Sequence, residues 1–255
     1  MLAHMKDDAG SERTFLMLAA CRVMLAGFAA RETTQTPEKY KSPMLQYHTV
    51  PVTAFQQNCS LVWCDQTMEA AVIDPGGDIE QIEWEVERLG LTLKAIWITH
   101  AHIDHAGGTS ELAAKHDLPV IGPQEGDQFW IDGLPQQGAM FGFPHADPFV
   151  PTRWLQDGDQ VTIGRETLNV RDCPGHTPGH VVFHAPQIER AFVGDVLFAG
   201  SIGRTDFPQG NHQQLIDSIV QRLWPMGDQT VFIPGHGPES SFGRERRMNP
   251  YVSGT

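Results

Sequence analysis

From residue 44 onward, apolar positions come in short runs and short periodic stretches, each broken by turn residues. Residues 61–63 (Leu-Val-Trp) and 70–73 (Ala-Ala-Val-Ile) are runs of strand length, the second stopped by Asp74-Pro75-Gly76-Gly77. Asp78 is placed to cap a helix in which Ile79, Ile82, Val86 and Leu89 share one face, and Gly90 ends it. Residues 93–98 read as a buried strand, 107–116 as a short helix and 119–121 as a short strand. Residues 124–153, rich in Gly, Pro and aromatics, read as a long irregular segment, which in a compact domain is usually functional. Strands are expected at 161–163, 167–171, 180–184, 190–193 and 230–233. Between the last two, Asn211 caps a helix that turns Leu215, Ile216, Ile219 and Leu223 inward. There is no internal repeat and no low-complexity tract. Two runs of mixed strands and helices predict an α/β layered sandwich with helices outside.

Residues 1–43 differ in kind. They carry six basic residues against five acids, so the 255-residue chain's net −13 becomes −14 for the rest, where Lys94 and Lys115 are the only lysines. Leu18-Ala19-Ala20-Cys21 has the form of a lipoprotein cleavage box, but only about six apolar residues precede the Cys, and Asp7, Asp8 and Glu12 spoil a basic leader. The expectation is a poorly ordered extension over 1–43, outside the native protein if Met44 is the true start, and a hydrolase domain over 44–255. No run of about 20 apolar residues occurs, which disfavours a spanning helix or any membrane partner. Cys21, Cys59, Cys64 and Cys173 form no disulfide framework, which predicts a reducing, cytoplasmic location. The acidic charge argues against nucleic acid, because phosphate binding needs clustered Lys and Arg.

The count that composition leaves unexplained is 12 His. Thr99-His100-Ala101-His102-Ile103-Asp104-His105 puts three His and an Asp within six residues, directly after the strand at 93–98. His176, Asp195 and His236 each follow an apolar run and sit beside Gly, which allows close backbone approach. One His at a strand end is ordinarily a surface or satisfied core residue. Four metal-type residues within six, plus three more at strand ends, reverse that expectation, because neutral imidazole and carboxylate are the ligands Zn and similar ions take. Seven ligands in this distribution suit two divalent ions, Zn foremost with Fe or Mn as alternatives, sharing a carboxylate and a water. His4, His48, His116, His145 and His212 do not group, and His184 is intermediate.

At these residues the chain resembles the metallo-β-lactamase superfamily, whose signature is His-x-His-x-Asp-His, over about residues 45–250. The resemblance implies a four-layer αβ/βα sandwich with the metals at one edge between the sheets. It assigns His100, His102 and His176 to one ion, Asp104, His105 and His236 to the other, and Asp195 to both. It also implies that Asp74 braces the His loop, and His180 is a candidate for hydrogen-bonding a ligand or the substrate. Within the superfamily, penicillin-degrading members lack the bridging carboxylate, flavodiiron proteins place Glu where this chain has His102, and tRNA-processing nucleases carry a basic insertion that a −14 core leaves little material for. The stretches 51–59, 174–180 and 198–208 resemble the glyoxalase II family in its short bacterial form. Only 19 residues follow His236, too few for the helical domain of the longer forms.

That resemblance implies hydrolysis of a glutathione thioester such as S-D-lactoylglutathione, within methylglyoxal detoxification, by a metal-bridging hydroxide that the catalytic carboxylates Asp104 and Asp195 position. Arg204 stands where long forms place a Lys on a glutathione carboxylate; a structural salt bridge to Asp206 is the equal alternative. Arg244, Arg246 and Arg247 either add anion affinity or form a solvated face. The expected assembly is a monomer or small homo-oligomer. Three further readings stay open: a glutathione persulfide dioxygenase with one Fe(II) on His100, His176 and Asp195, a hydrolase of other thioesters, and a non-catalytic scaffold.

Overall fold

Alternation along the strands decides the layers of the computed structural model, which describes residues 44–143 and 146–254. β1 (Leu45–Val52), β2 (Gln57–Cys64), β3 (Glu69–Ile73), β4 (Thr92–Trp97) and β5 (Val120–Ile121) form one sheet in that order. The first three are antiparallel and the last three parallel. β6 (Gln160–Ile163), β7 (Glu166–Asp172), β8 (Val181–Ala185) and β9 (Arg190–Gly194) lead, after a small hairpin of β10 (Leu197–Phe198) and β11 (Ser201–Ile202), to β12 (Val231–Pro234) and β13 (Ser240–Ser241). The second sheet has the order β13-β12-β9-β8-β7-β6, with β9 and β12 parallel.

Neighbouring residues on a strand face opposite ways, and the core divides accordingly. Val62, Ile73, Trp97, Phe183, Phe192 and Ile233 meet between the sheets. Leu61, Val72 and Ile96 point outward, onto Ile79 and Ile82 of α1 (Ile79–Leu89) and Leu112. Val182, Ala191, Val193 and Phe232 point outward from the second sheet, onto Leu215, Ile219 and Phe242. Helix, sheet, sheet and helix give the four-layer αβ/βα sandwich, and each fully buried Leu, Ile or Phe in it contributes about 1.5–3 kcal/mol.

Most expected elements appear within a residue or two. The helix expected over 107–116 appears as α3 (Thr109–His116), and a further short turn of helix, α2 (Ile103–Ala106), precedes it within the His cluster. Residues 124–153 are not wholly irregular: α4 (Gln128–Asp132) and α5 (Leu134–Phe141) lie there, anchored by buried Ile131 and Leu134. Tertiary burial overrides a composition poor in helix formers, and Gly142 in the left-handed conformation ends α5. Asp78 stands at the N-cap of α1, but its carboxylate leaves the helix and accepts the N–H of Thr53 at 2.6 Å. Asn211 caps α6 (His212–Ser218) as expected, accepting the Gln214 N–H at 3.0 Å. An unexpected helix, α7 (Phe242–Met248), buries Phe242 and Glu245. Arg246 and Arg247 on it reach Asp228 at 3.7 and 3.6 Å.

The extension expected over 1–43 lies outside the described residues, as do His4 and His145. Among the described residues no helix is long and apolar enough to cross a membrane. Cys59, Cys64 and Cys173 are free and buried.

Candidate metal centre

Three strands of two sheets end at one place. The chain leaving β4 runs through Ile98 and Thr99 to His100; the chain leaving β9 gives Asp195; the chain leaving β12 gives Gly235 and His236. His176 comes from the loop joining β7 to β8. Ligands at the carboxyl ends of parallel strands are the usual consequence of such sheets, because the loops there converge over a crevice.

The seven candidates stand side by side. Donor atoms of His100, His102 and His176 lie within 4.8 Å of one another, as do those of Asp104, His105 and His236. Asp195 lies among them, 3.3 Å from His105 Nε2, 3.6 Å from His176 Nε2 and 3.8 Å from His236 Nε2. Asp104 Oδ2 is 3.0 Å from His236 Nε2.

The outer ring nitrogens are committed to oxygen. His105 Nδ1 meets Asp74 Oδ2 at 2.8 Å, His176 Nδ1 the Arg204 carbonyl at 2.7 Å, and His236 Nδ1 the Phe55 carbonyl at 3.2 Å. His100 Nδ1 lies 3.0 Å from the Thr99 hydroxyl, which itself donates to Asp74. Each such contact fixes the tautomer, so that Nε2 carries a lone pair toward the centre. Asp74 also accepts the Thr99 N–H at 2.7 Å. Its left-handed backbone, φ 53°, is a conformation that Asp tolerates better than most residues.

Those inward atoms are left without partners. Nε2 of His100 and His105, and Oδ1 of Asp195, are buried and make no hydrogen bond. His102 Nδ1 and His176 Nε2 face each other at 2.9 Å. Unpaired buried donors and acceptors cost about 1–3 kcal/mol each, and a convergent set of them is what a divalent cation satisfies. The residues therefore fit a metal.

Electrostatics agree. Burial, reinforced by neighbouring histidines, pushes His100 and His102 well below the ordinary imidazole range, which favours the neutral imidazoles a metal takes. Burial works to raise Asp195, yet His105, His176 and His236 hold it far below the usual carboxylate range.

His180 stacks on His100 with ring centroids 4.6 Å apart and accepts the backbone N–H of Asp195 at 3.1 Å, so it supports a ligand from behind. Arg204 is exposed and forks onto Asp206 at 2.7 and 2.6 Å, while its guanidinium covers the Phe207 ring at 4.1 Å. Phe207 and Trp130 pack edge-on against His102, 5.0 and 4.5 Å between centroids, and form an apolar wall beside the cluster. Neither aromatic carries a signal in the sequence that separates it from a core residue. Asp127, two residues after Glu125, is likewise silent in the sequence; it is fully buried at the end of a 3₁₀ turn.

Residues 52–236 match the metallo-beta-lactamase superfamily. The hydroxyacylglutathione hydrolase GloC of Haemophilus influenzae is 44% identical over 205 residues, covering 80% of this chain and 96% of that protein. Among solved structures, BLEG-1, a B3 metallo-beta-lactamase, superposes with a TM-score of 0.76 at 33% identity, covering 82% of this chain and all of that one. TTHA1623 in a di-iron-bound form gives 0.73 at 35%, covering 80% and 100%. With the family match spanning most of both sheets and every candidate ligand, the chain belongs to the metallo-beta-lactamase superfamily.

Proposed function

We propose that the protein hydrolyses thioesters of glutathione, S-D-lactoylglutathione among them, to the hydroxy acid and free glutathione. The observation that carries this reading is Asp195, a carboxylate within 4 Å of three histidines. Likeness to the hydroxyacylglutathione hydrolase of Haemophilus influenzae supports the substrate class.

His100, His102 and His176 would hold one divalent ion, Asp104, His105 and His236 a second, and Asp195 would serve both. Bound there, divalent ions supply an activated water at neutral pH and Lewis-acid stabilisation of an oxyanion. The chain's own residues do the rest. Asp104 and Asp195 accept hydrogen bonds from the attacking water and aim it at the thioester carbonyl. Trp130 and Phe207 exclude bulk water beside His102. Cys59 and Cys173 take no part: burial pushes both thiols up, away from the thiolate form a nucleophile needs. Zn is the proposed metal, and the di-iron neighbour makes iron the first alternative. A reducing cytoplasm suits both glutathione and the free cysteines.

The test is metal analysis beside a substrate panel. Metal-loaded protein is expected to hydrolyse S-D-lactoylglutathione, and exhaustive chelation to remove at least 99% of that rate, about 3 kcal/mol of catalysis. Full activity after metal removal sinks the mechanism. Faster turnover of a β-lactam, or oxygen uptake with glutathione persulfide, replaces the substrate class.

Arg204 is the proposed anchor for a carboxylate of glutathione, reached by opening its fork to Asp206. Arg204→Ala is expected to raise KM for glutathione thioesters about five- to tenfold with kcat within twofold, because an exposed charge pair contributes about 1 kcal/mol. An unchanged KM assigns Arg204 to the Asp206 pair alone.

A further inference from the structure

Two buried carboxylates flank the cluster. Asp74 serves His105 and Thr99, on the side of the Asp104–His105–His236 trio. Asp127 has no such partner among the ligands, yet two of its three hydrogen bonds go to residues next to them and the third to the same loop as His176. Its Oδ2 accepts the N–H of Ala101, the residue between His100 and His102, at 2.9 Å. The same oxygen accepts the hydroxyl of Thr177, next after His176, at 2.9 Å. Its Oδ1 accepts the N–H of Gly179 at 2.6 Å.

From these contacts we infer that Asp127 is a positioning residue for the three-histidine half of the centre, clamping the turn that carries His100 and His102 to the loop that carries His176.

The two segments come from different sheets and are 74 residues apart at their facing histidines. On the Thr99 side one backbone bond joins them, Val181 N–H to the Thr99 carbonyl at 2.8 Å. On the Ala101 and Thr177 side Asp127 joins them with one rigid group: a carboxylate on a short side chain, 0% exposed, bonded to both. Supporting backbone bonds hold Asp127 itself, with Gln124 N–H donating to the Gly179 carbonyl at 3.0 Å and Asp127 N–H to the Gln124 carbonyl at 3.0 Å. The fit leaves no slack: a Cβ on Gly179 would collide with the Gln124 carbonyl and with Asp127 itself. Charge-assisted bonds of this kind are roughly twice as strong as neutral ones, and removing partners behind metal ligands commonly costs 10- to 100-fold in metal affinity.

The inference rests on the metal reading of the cluster, and the experiment separates the two. Zinc is titrated into metal-free wild type, Asp127→Asn and Thr177→Val against a competing chelator, with the histidine ring nitrogens followed by NMR. Asn keeps the shape but turns an N–H₂ toward a backbone N–H. In Asp127→Asn one zinc equivalent is expected to weaken about 10- to 100-fold, with the Nε2 signals of His100, His102 and His176 shifted more than those of His105 and His236. In Thr177→Val, which deletes one of the three bonds, the same equivalent weakens by a smaller factor. Affinities within twofold of wild type in both variants, or equal loss at both sites, overturn the clamp. If Asp127→Asn does not fold, Thr177→Val decides by the same criterion. Wild type that takes up no zinc overturns the metal reading and the inference with it; wild type and Asp127→Asn that both take up two equivalents tightly overturn the inference alone.

Discussion

Asp195→Ala is expected to lower kcat/KM for S-D-lactoylglutathione about a thousandfold or more, equivalent to about 4 kcal/mol of transition-state stabilisation. The size follows from position. Asp195 is the residue with contacts to both trios, 3.6 Å from His176 on one side and 3.3 and 3.8 Å from His105 and His236 on the other. On the proposed mechanism, its loss removes the negative charge that would offset the bound ions and one acceptor for the attacking water. It also strips His105, the imidazole that Asp195 and Asp104 raise well above its ordinary range against the effect of burial, of its nearest inward anion. Asp195→Asn, which preserves volume, is expected to lose nearly as much, because the amide lacks the charge. The checks are steady-state kinetics and metal content; activity within tenfold of wild type would remove Asp195 from the reaction.

Gly235→Ala is expected to be nearly as damaging, although it alters no proposed ligand. A Cβ there would press on the Asp195 carboxylate and on His105, whose Cε1 would lie 2.5 Å away and Nε2 3.1 Å away. The backbone cannot retreat, because Gly235 N–H donates to the Gly194 carbonyl at 2.8 Å and its own carbonyl accepts the Asn58 N–H at 2.7 Å. Asp195 or His105 must then rotate out of place. Overpacking of this kind costs about 1–3 kcal/mol in stability, so the protein still folds. We expect kcat/KM to fall at least about a hundredfold, with less than the wild-type complement of zinc per chain. Wild-type activity at full metal content would show that the pocket yields where the bonding says it does not.

The seven metal-type residues are legible in the sequence because metal chemistry restricts residue type: His-x-His-x-Asp-His admits few other uses, and His176, Asp195 and His236 each end an apolar run. The layers are legible because Val62 and Leu61, or Phe183 and Val182, must face opposite ways on any strand. Legibility fails where tertiary contact, not local pattern, decides. α5 contains Gln-Gln-Gly, yet folds as a helix because Leu134 is buried and Gln137 accepts the Ile103 N–H at 3.1 Å. α7 presents three arginines in seven residues and hides its role in one buried acid, Glu245, which accepts the Ser240 hydroxyl at 2.5 Å and the Gly200 N–H at 2.7 Å. Asp78 has the residue type of a helix cap but spends its carboxylate on Thr53. Asp127 illustrates the same limit: an Asp in a short 3₁₀ turn has no ligand spacing to read, and only the folded chain brings three donors to it.

The placement of His236 just after β12 has a consequence in time. It is translated 136 residues after His100, an interval of about 7–27 s at usual rates of synthesis. Through that interval the nascent chain carries His100, His102 and His105 with no strand to close the pocket. β12 must then pair with β9 before Asp104 meets His236. On the proposed reading of the cluster, a chain stalled or clipped short of residue 236 would lack one of the seven ligands and would hold its metal less tightly.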